Sequence, residues 1–98
     1  MIRFQRSMRV RGGRHAKRWA KDLADSLGAV HGEPPVRLFR SRYGNVSTLH
    51  WIADFEDLAA LEAWQRKVGA DAAYRDLIGQ SFDIVIDGSV EDTVLESF

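Results

Sequence analysis

The apolar residues of this 98-residue chain change their spacing four times, and that succession leaves few folds open. Ile2, Phe4, Met8 and Val10 alternate with Arg3, Gln5, Ser7, Arg9 and Arg11, which is the period of two of a strand with one apolar face. Gly12-Gly13 breaks the strand. Ala16, Trp19, Ala20, Leu23, Ala24 and Leu27 then fall at helical spacing, with Gly28 as the expected C-cap. Gly32-Glu33-Pro34-Pro35 reads as a loop, because neither a helix nor a central strand accommodates such prolines. Two more strands follow, over residues 36–43 and 46–53, with Gly44-Asn45 as a tight hairpin signal. The second of these is apolar on both faces: Val46 and Ile52 on one, Leu49, Trp51 and Ala53 on the other. Such strands are covered on both sides.

The second half repeats the pattern. Asp54 is the expected N-cap, with Asp57 three residues later, of a helix whose stripe is Leu58, Leu61, Trp64 and Val68 and whose end is Gly69. Asp71 caps a short helix holding Tyr74, Leu77 and Ile78 and ending at Gly79. Phe82, Ile84 and Ile86 alternate with Asp83 and Asp87 in a fourth strand, and residues 88–98 form an extension with a short strand at 93–97. The order β-α-β-β-α-β predicts one α+β domain over residues 1–98. It is a ferredoxin-like sandwich with an antiparallel four-stranded sheet and its helices on one face. The doubly apolar third strand then predicts a second subunit laid on the other face, and hence a homodimer.

Charge is divided at the midpoint. Residues 1–50 hold eleven Lys/Arg and three Asp/Glu, residues 51–98 three and eleven, so the halves are +8 and −8. The run Arg3 to Arg11 alone would suggest a nucleic-acid or membrane binder. The compensating acid lies in the same small domain, however. First and fourth strands are antiparallel neighbours in this fold, so Arg3 and Arg9 are expected to pair with Asp83 and Asp87. The chain has no cysteine, which excludes disulfides, zinc–thiolate sites and a thiol nucleophile. No run approaches the ~18–20 apolar residues of a membrane helix, and arginines interrupt the N-terminus where a signal sequence would be apolar. A cytoplasmic protein without a membrane partner is expected.

With that order in hand, three stretches resemble the NIPSNAP-like proteins of the dimeric α+β barrel superfamily. They are Tyr43-Gly44-Asn45-Val46-Ser47-Thr48-Leu49-His50-Trp51, Phe55-Glu56-Asp57-Leu58-Ala59-Ala60-Leu61-Glu62-Ala63-Trp64, and the turn Ala70-Asp71-Ala72-Ala73-Tyr74. The resemblance covers nearly the whole chain. Ala72 stands where the family's turn carries a proline. The same superfamily includes small cofactor-free monooxygenases and haem-degrading enzymes. The haem degraders place an Asn on the first strand, a Trp on the second helix and a His beyond it, and the matching positions here are Arg6, Trp64 and Tyr74. Only the tryptophan is kept. Arginine lacks the acceptor of asparagine, and tyrosine is a poorer neutral iron ligand than histidine. The resemblance therefore implies a pocket in that place without haem oxygenation, and no cofactor is expected.

Four residues are the candidate ligand-binding set: Arg6, His50, Trp64 and Tyr74. Arg6 is a charge on the apolar face of the first strand, a costly placement unless it is paired or reaches a wet cavity. It is either a snorkelling or paired arginine, its partner an acid of the second half, or an anion anchor in the sheet–helix cleft. His50 and Trp51 are adjacent on a strand and face opposite sides. His50 is either a hydrogen-bonded structural histidine or a general base, and Trp51 is core or interface. Trp19 and Trp64 lie on helical stripes, as core aromatics do; Trp64 is also placed to roof a cleft whose mouth Tyr74 would close. His15, at a helix start, and His31, in a loop, have no carboxylate cluster at ligand spacing, so no metal site is expected. Gly12-Gly13 is a strand-to-helix turn whose free amides would attract an anion only weakly. No catalytic residue is assignable.

These observations leave three functions. One is a homodimeric small-molecule-binding protein with a cleft between sheet and helices, taking a small anionic or aromatic ligand, and acting as a binder or as a cofactor-free monooxygenase or isomerase. Another is a structural or interaction module whose pocket is filled by its own side chains. The last is an RNA-binding domain, which shares this element order. Arg42-Tyr43-Gly44-Asn45-Val46 misplaces the glycine and aromatic of the RNA-recognition consensus, and a −8 half opposes phosphate. No nucleic-acid partner is therefore expected.

Overall fold

The computed structural model describes residues 1–12, 14–31, 35–44 and 47–98. The expectations for Gly13, for Gly32-Glu33-Pro34 and for Asn45-Val46 lie outside the described residues. Strand β1 (Ile2–Arg9) leads into helix α1 (Arg14–His31), and strands β2 (Arg37–Arg40) and β3 (Thr48–Phe55) follow. Helices α2 (Leu58–Ala70) and α3 (Ala72–Gly79), a 3₁₀ turn at residues 80–83 and strand β4 (Glu91–Glu96) complete the chain. The sheet order is β2-β3-β1-β4, antiparallel throughout, as the ferredoxin-like reading requires.

Register separates the two faces. Phe4 opposes Ala53, and Ile2 opposes Phe55; these residues, with Met8 and Trp51, are buried under the helices. Arg3, Gln5, Ser7, His50, Ile52 and Asp54 are directed to the face without helices, since side chains alternate along a strand. α1 contributes Ala16, Trp19, Ala20, Leu23, Ala24 and Leu27 to the core, all at most 8% exposed. α2 contributes Leu61, Trp64 and Val68. Burial of such side chains stabilises by roughly 1.5–3 kcal/mol each, which is what fixes both helices to one face.

Several local expectations are corrected. α1 runs past Gly28 to His31, so His31 belongs to the helix and not to a loop; a glycine inside a helix costs about 1 kcal/mol, which the packed stripe before it offsets. β2 ends at Arg40 and β3 begins at Thr48, short of the expected 36–43 and 46–53 at their facing ends, and Gly44 has φ +80°. The N-cap of α2 is Asp57, whose carboxylate accepts from the Ala60 amide at 2.8 Å; Leu58 is 52% exposed and stands outside the stripe. Asp71 caps α3 as expected, accepting from the Ala73 amide.

The largest correction concerns the fourth strand. Residues 80–83 form a 3₁₀ turn, and Ile84 is 2% exposed beneath it. Residues 84–86 touch β1 at one bridge, Val10 to Val85, through Arg11 N–H to Ile84 O and Ile86 N–H to Arg9 O. The chain then turns at Gly88, where φ is +76°. The Ser89 hydroxyl accepts from the Arg9 amide at 3.1 Å in place of a ladder carbonyl. β4 resumes beside β1 over residues 91–96, the stretch expected to hold only a short extra strand. Asp83 and Asp87 are therefore not the cross-strand partners of Arg3 and Arg9.

Candidate functional site

A cavity of about 190 Å³ lies between the sheet and the helices. Its walls are mostly apolar, with Phe4, Leu23, Trp51, Ala53 and Val68 among them, and Arg6, Gln65 and Tyr74 bring the polar side chains. The structure thus gathers three of the four candidate residues, Arg6, Trp64 and Tyr74, in one place.

Arg6 is held there by its register. It opposes Asp92 on β4, and the two form a bidentate pair, Nε to Oδ1 at 2.7 Å and Nη2 to Oδ2 at 2.9 Å. Its Nη1 donates to the Tyr74 hydroxyl at 3.0 Å, and its guanidinium lies 5.8 Å from the centre of the Phe4 ring. The hydrogen bond to Asp92, opposed by burial and supported by the charges around it, raises the Arg6 pKa above its ordinary value. The arginine is a paired one, as the first alternative held, and its partner comes from the acidic half. As Asp92 cancels its charge, what Arg6 offers the cavity is N–H donors and an oriented Tyr74, not a free cation. Sequence reasoning missed Asp92 because it lies in the presumed extension; the signal was an acid at the strand position facing an arginine on the apolar face.

Trp64 is 8% exposed and sits between two rings, Phe55 at 5.3 Å and Phe4 at 6.2 Å centre to centre. Its Nε1 is buried and has no acceptor among the described residues. The other two indoles differ. Trp19 Nε1 donates to Leu77 O at 2.7 Å, Trp51 Nε1 to Ala20 O at 3.3 Å, and the two rings meet edge to face at 5.9 Å. A buried donor without a partner is uncommon and costs about 1–3 kcal/mol. Tyr74, whose oxygen accepts from Arg6, keeps its own hydroxyl hydrogen to donate. As an iron ligand it would compete with that arginine, so the residue set does not fit haem.

His50 is not part of this cavity. It faces the other side of the sheet, where its Nδ1 lies 2.7 Å from Ser7 Oγ and its Nε2 2.8 Å from Ser41 Oγ. Both ring nitrogens are occupied by hydroxyls, the hydrogen-bonded structural histidine of the first alternative. On the same face Arg3 and Asp54 form a bidentate pair at 2.8 and 3.0 Å, with Arg37 3.5 Å from the same carboxylate.

No protein-family model matches the chain, and no curated protein matches it. Solved structures do. A NIPSNAP family protein of Agrobacterium tumefaciens superposes with a TM-score of 0.79 at 17% identity, covering 99% of this chain and 92% of that one. An uncharacterised NIPSNAP domain protein of Burkholderia xenovorans gives 0.77 at 14% identity, covering 100% and 95%. An antibiotic biosynthesis monooxygenase-like protein of Nitrosomonas europaea gives 0.72 at 9% identity, covering 99% and 98%. The chain has the fold of these proteins over nearly their whole length.

Proposed function

We propose that the protein binds a small, mostly apolar molecule carrying a neutral hydrogen-bond acceptor, such as an aromatic ketone, in the cavity between sheet and helices. The observation that carries this reading is the cavity's make-up: apolar walls, with polarity concentrated in the charge-neutralised Arg6–Tyr74 group. Donors predominate there, from the Arg6 guanidinium and the Tyr74 hydroxyl. The cavity, about 190 Å³ against the ~300–1,000 Å³ of ordinary ligand sites, is small but is not filled by the chain's own side chains, which supports an open site for a small ligand. A cofactor-free oxygenase or isomerase must also take a proton from its substrate. Of the polar side chains lining the cavity, the Tyr74 oxygen is the one able to serve as that base, so binding is the better-supported activity.

A homodimer completes this reading. The face without helices presents Phe39, 45% exposed, and Leu95, 51% exposed, at its two edges, with Ile52 between them. A second copy would cover these side chains. Titration of tryptophan fluorescence with 1-tetralone, an aromatic ketone, tests the binding site. Tyr74→Phe should weaken binding about three- to tenfold, the value of one hydrogen bond. An unchanged affinity in this variant would refute the role of the Arg6–Tyr74 group.

A further inference from the structure

A second depression lies on the helix side of the sheet, between α1 and β2, as an open groove of about 490 Å³. Its floor includes Val10, which is buried, and Leu38 and Leu49, which are partly buried against the core. Three cations line it: Lys17 and Lys21, one turn apart on α1, and Arg40 at the end of β2. Every lining residue falls between positions 10 and 49, in the half that carries +8, and none is acidic. Elsewhere the charge split is absorbed internally, by Asp92 on Arg6 and by Asp54 on Arg3 and Arg37. Lys17, Lys21 and Arg40 form no ion pair among the described residues.

Three unpaired cations around an apolar floor call for a ligand that is both anionic and apolar. The groove's size falls within the ~300–1,000 Å³ of ordinary small-molecule sites. We propose that the groove binds one molecule of an organic anion, a phosphate or carboxylate head on an apolar body. The head lies between Lys17, Lys21 and Arg40, and the body rests on Val10, Leu38 and Leu49. The arginine supplies a planar fork to the head oxygens and the lysines supply mobile point charges. This site is separate from the Trp64 cavity, and either can fail without the other.

Amide shifts of the full ¹⁵N-labelled chain, titrated with decyl phosphate and decanoate as monomers, provide the test. Decanol and inorganic phosphate serve as the two halves of the probe. Saturable shifts are expected at residues 16–21, 38–40 and 49. Lys17→Gln/Lys21→Gln/Arg40→Gln should weaken binding about tenfold or more, since each charge contact contributes up to about 1 kcal/mol, while tetralone binding at Trp64 persists. If that triple variant loses its spectral dispersion, Lys21→Gln alone should still cost about threefold. Equal affinity for decanol would reduce the groove to an apolar surface, and equal affinity for inorganic phosphate to a diffuse anion patch; either overturns the proposal. So would shifts confined to the Trp64 cavity. Cosedimentation with phosphatidylglycerol vesicles without binding of the monomeric probes would assign the cations to a membrane surface and overturn it as well.

Discussion

Arg6 shows how one residue sets the chemistry of a cavity. It shares a strand face with Ile2, Phe4 and Met8, where an unpaired charge would be costly. Asp92 removes that cost and also removes the free positive charge that would have made the cavity an anion site. Asp92→Asn should therefore reverse its preference. Binding of 2-naphthoate should rise about tenfold relative to 1-tetralone, the worth of one charge-assisted hydrogen bond. An unchanged ratio by fluorescence titration would show that Asp92 does not govern the choice. The pair on the other face gives a pH signature. The Asp54 carboxyl is held below its usual range, first by the hydrogen bond from Arg3, with burial opposing and the charges of Arg3 and Arg37 adding. A carboxylate favoured in the folded chain contributes stability above its unfolded pKa of about 3.9 and loses it as pH falls through the folded value. Asp54→Asn should thus cost no more than about 1 kcal/mol near pH 7, because the pair is half exposed. That difference should vanish in urea unfolding at acid pH; a cost that grows on acidification would contradict the assignment.

At the level of elements, the amino-acid pattern disclosed each strand and helix whose partners were already present in its own face. The stripe from Ala16 to Leu27 and that of Leu58, Leu61, Trp64 and Val68 needed no more than period 3.6, and both are buried as read except for Leu58. Where backbone hydrogen bonding decides, period was insufficient. Phe82 to Asp87 alternates like a strand, yet the chain coils into a 3₁₀ turn over residues 80–83, meets the first strand at a single bridge at Val85, and forms a strand only after Gly88. The shift hid Asp92, and with it half of the Arg6 account. His50 was misplaced for a related reason: alternation told that it and Trp51 face apart, but not which face holds the cavity. Caps are likewise a matter of one residue's geometry. Asp57→Ala should cost about 1 kcal/mol by losing the bond to the Ala60 amide, and Asp54 should make no such contribution to the helix. Chemical denaturation of Asp57→Ala with no loss of stability would refute the cap.

The whole molecule is a chain of two opposite charges folded so that part of the opposition is internal, across β1, β3 and β4, and part is left at the α1–β2 groove. Its face without helices is amphipathic, and light scattering should return twice the 11.1 kDa of one chain. Phe39→Asp should restore the single mass; a wild-type mass of one chain at micromolar concentration would overturn the dimer. The claim on which the functional account rests is the cavity, and the three indole N–H groups report on it directly. The rings of Trp64 and Trp51 line it, and that of Trp19 does not. Titration of the ¹⁵N-labelled protein with 1-tetralone should move the indole resonances of Trp64 and Trp51, whose rings line the cavity, and leave that of Trp19 nearly in place. A saturating titration in which the Trp64 resonance stays still would contradict the account.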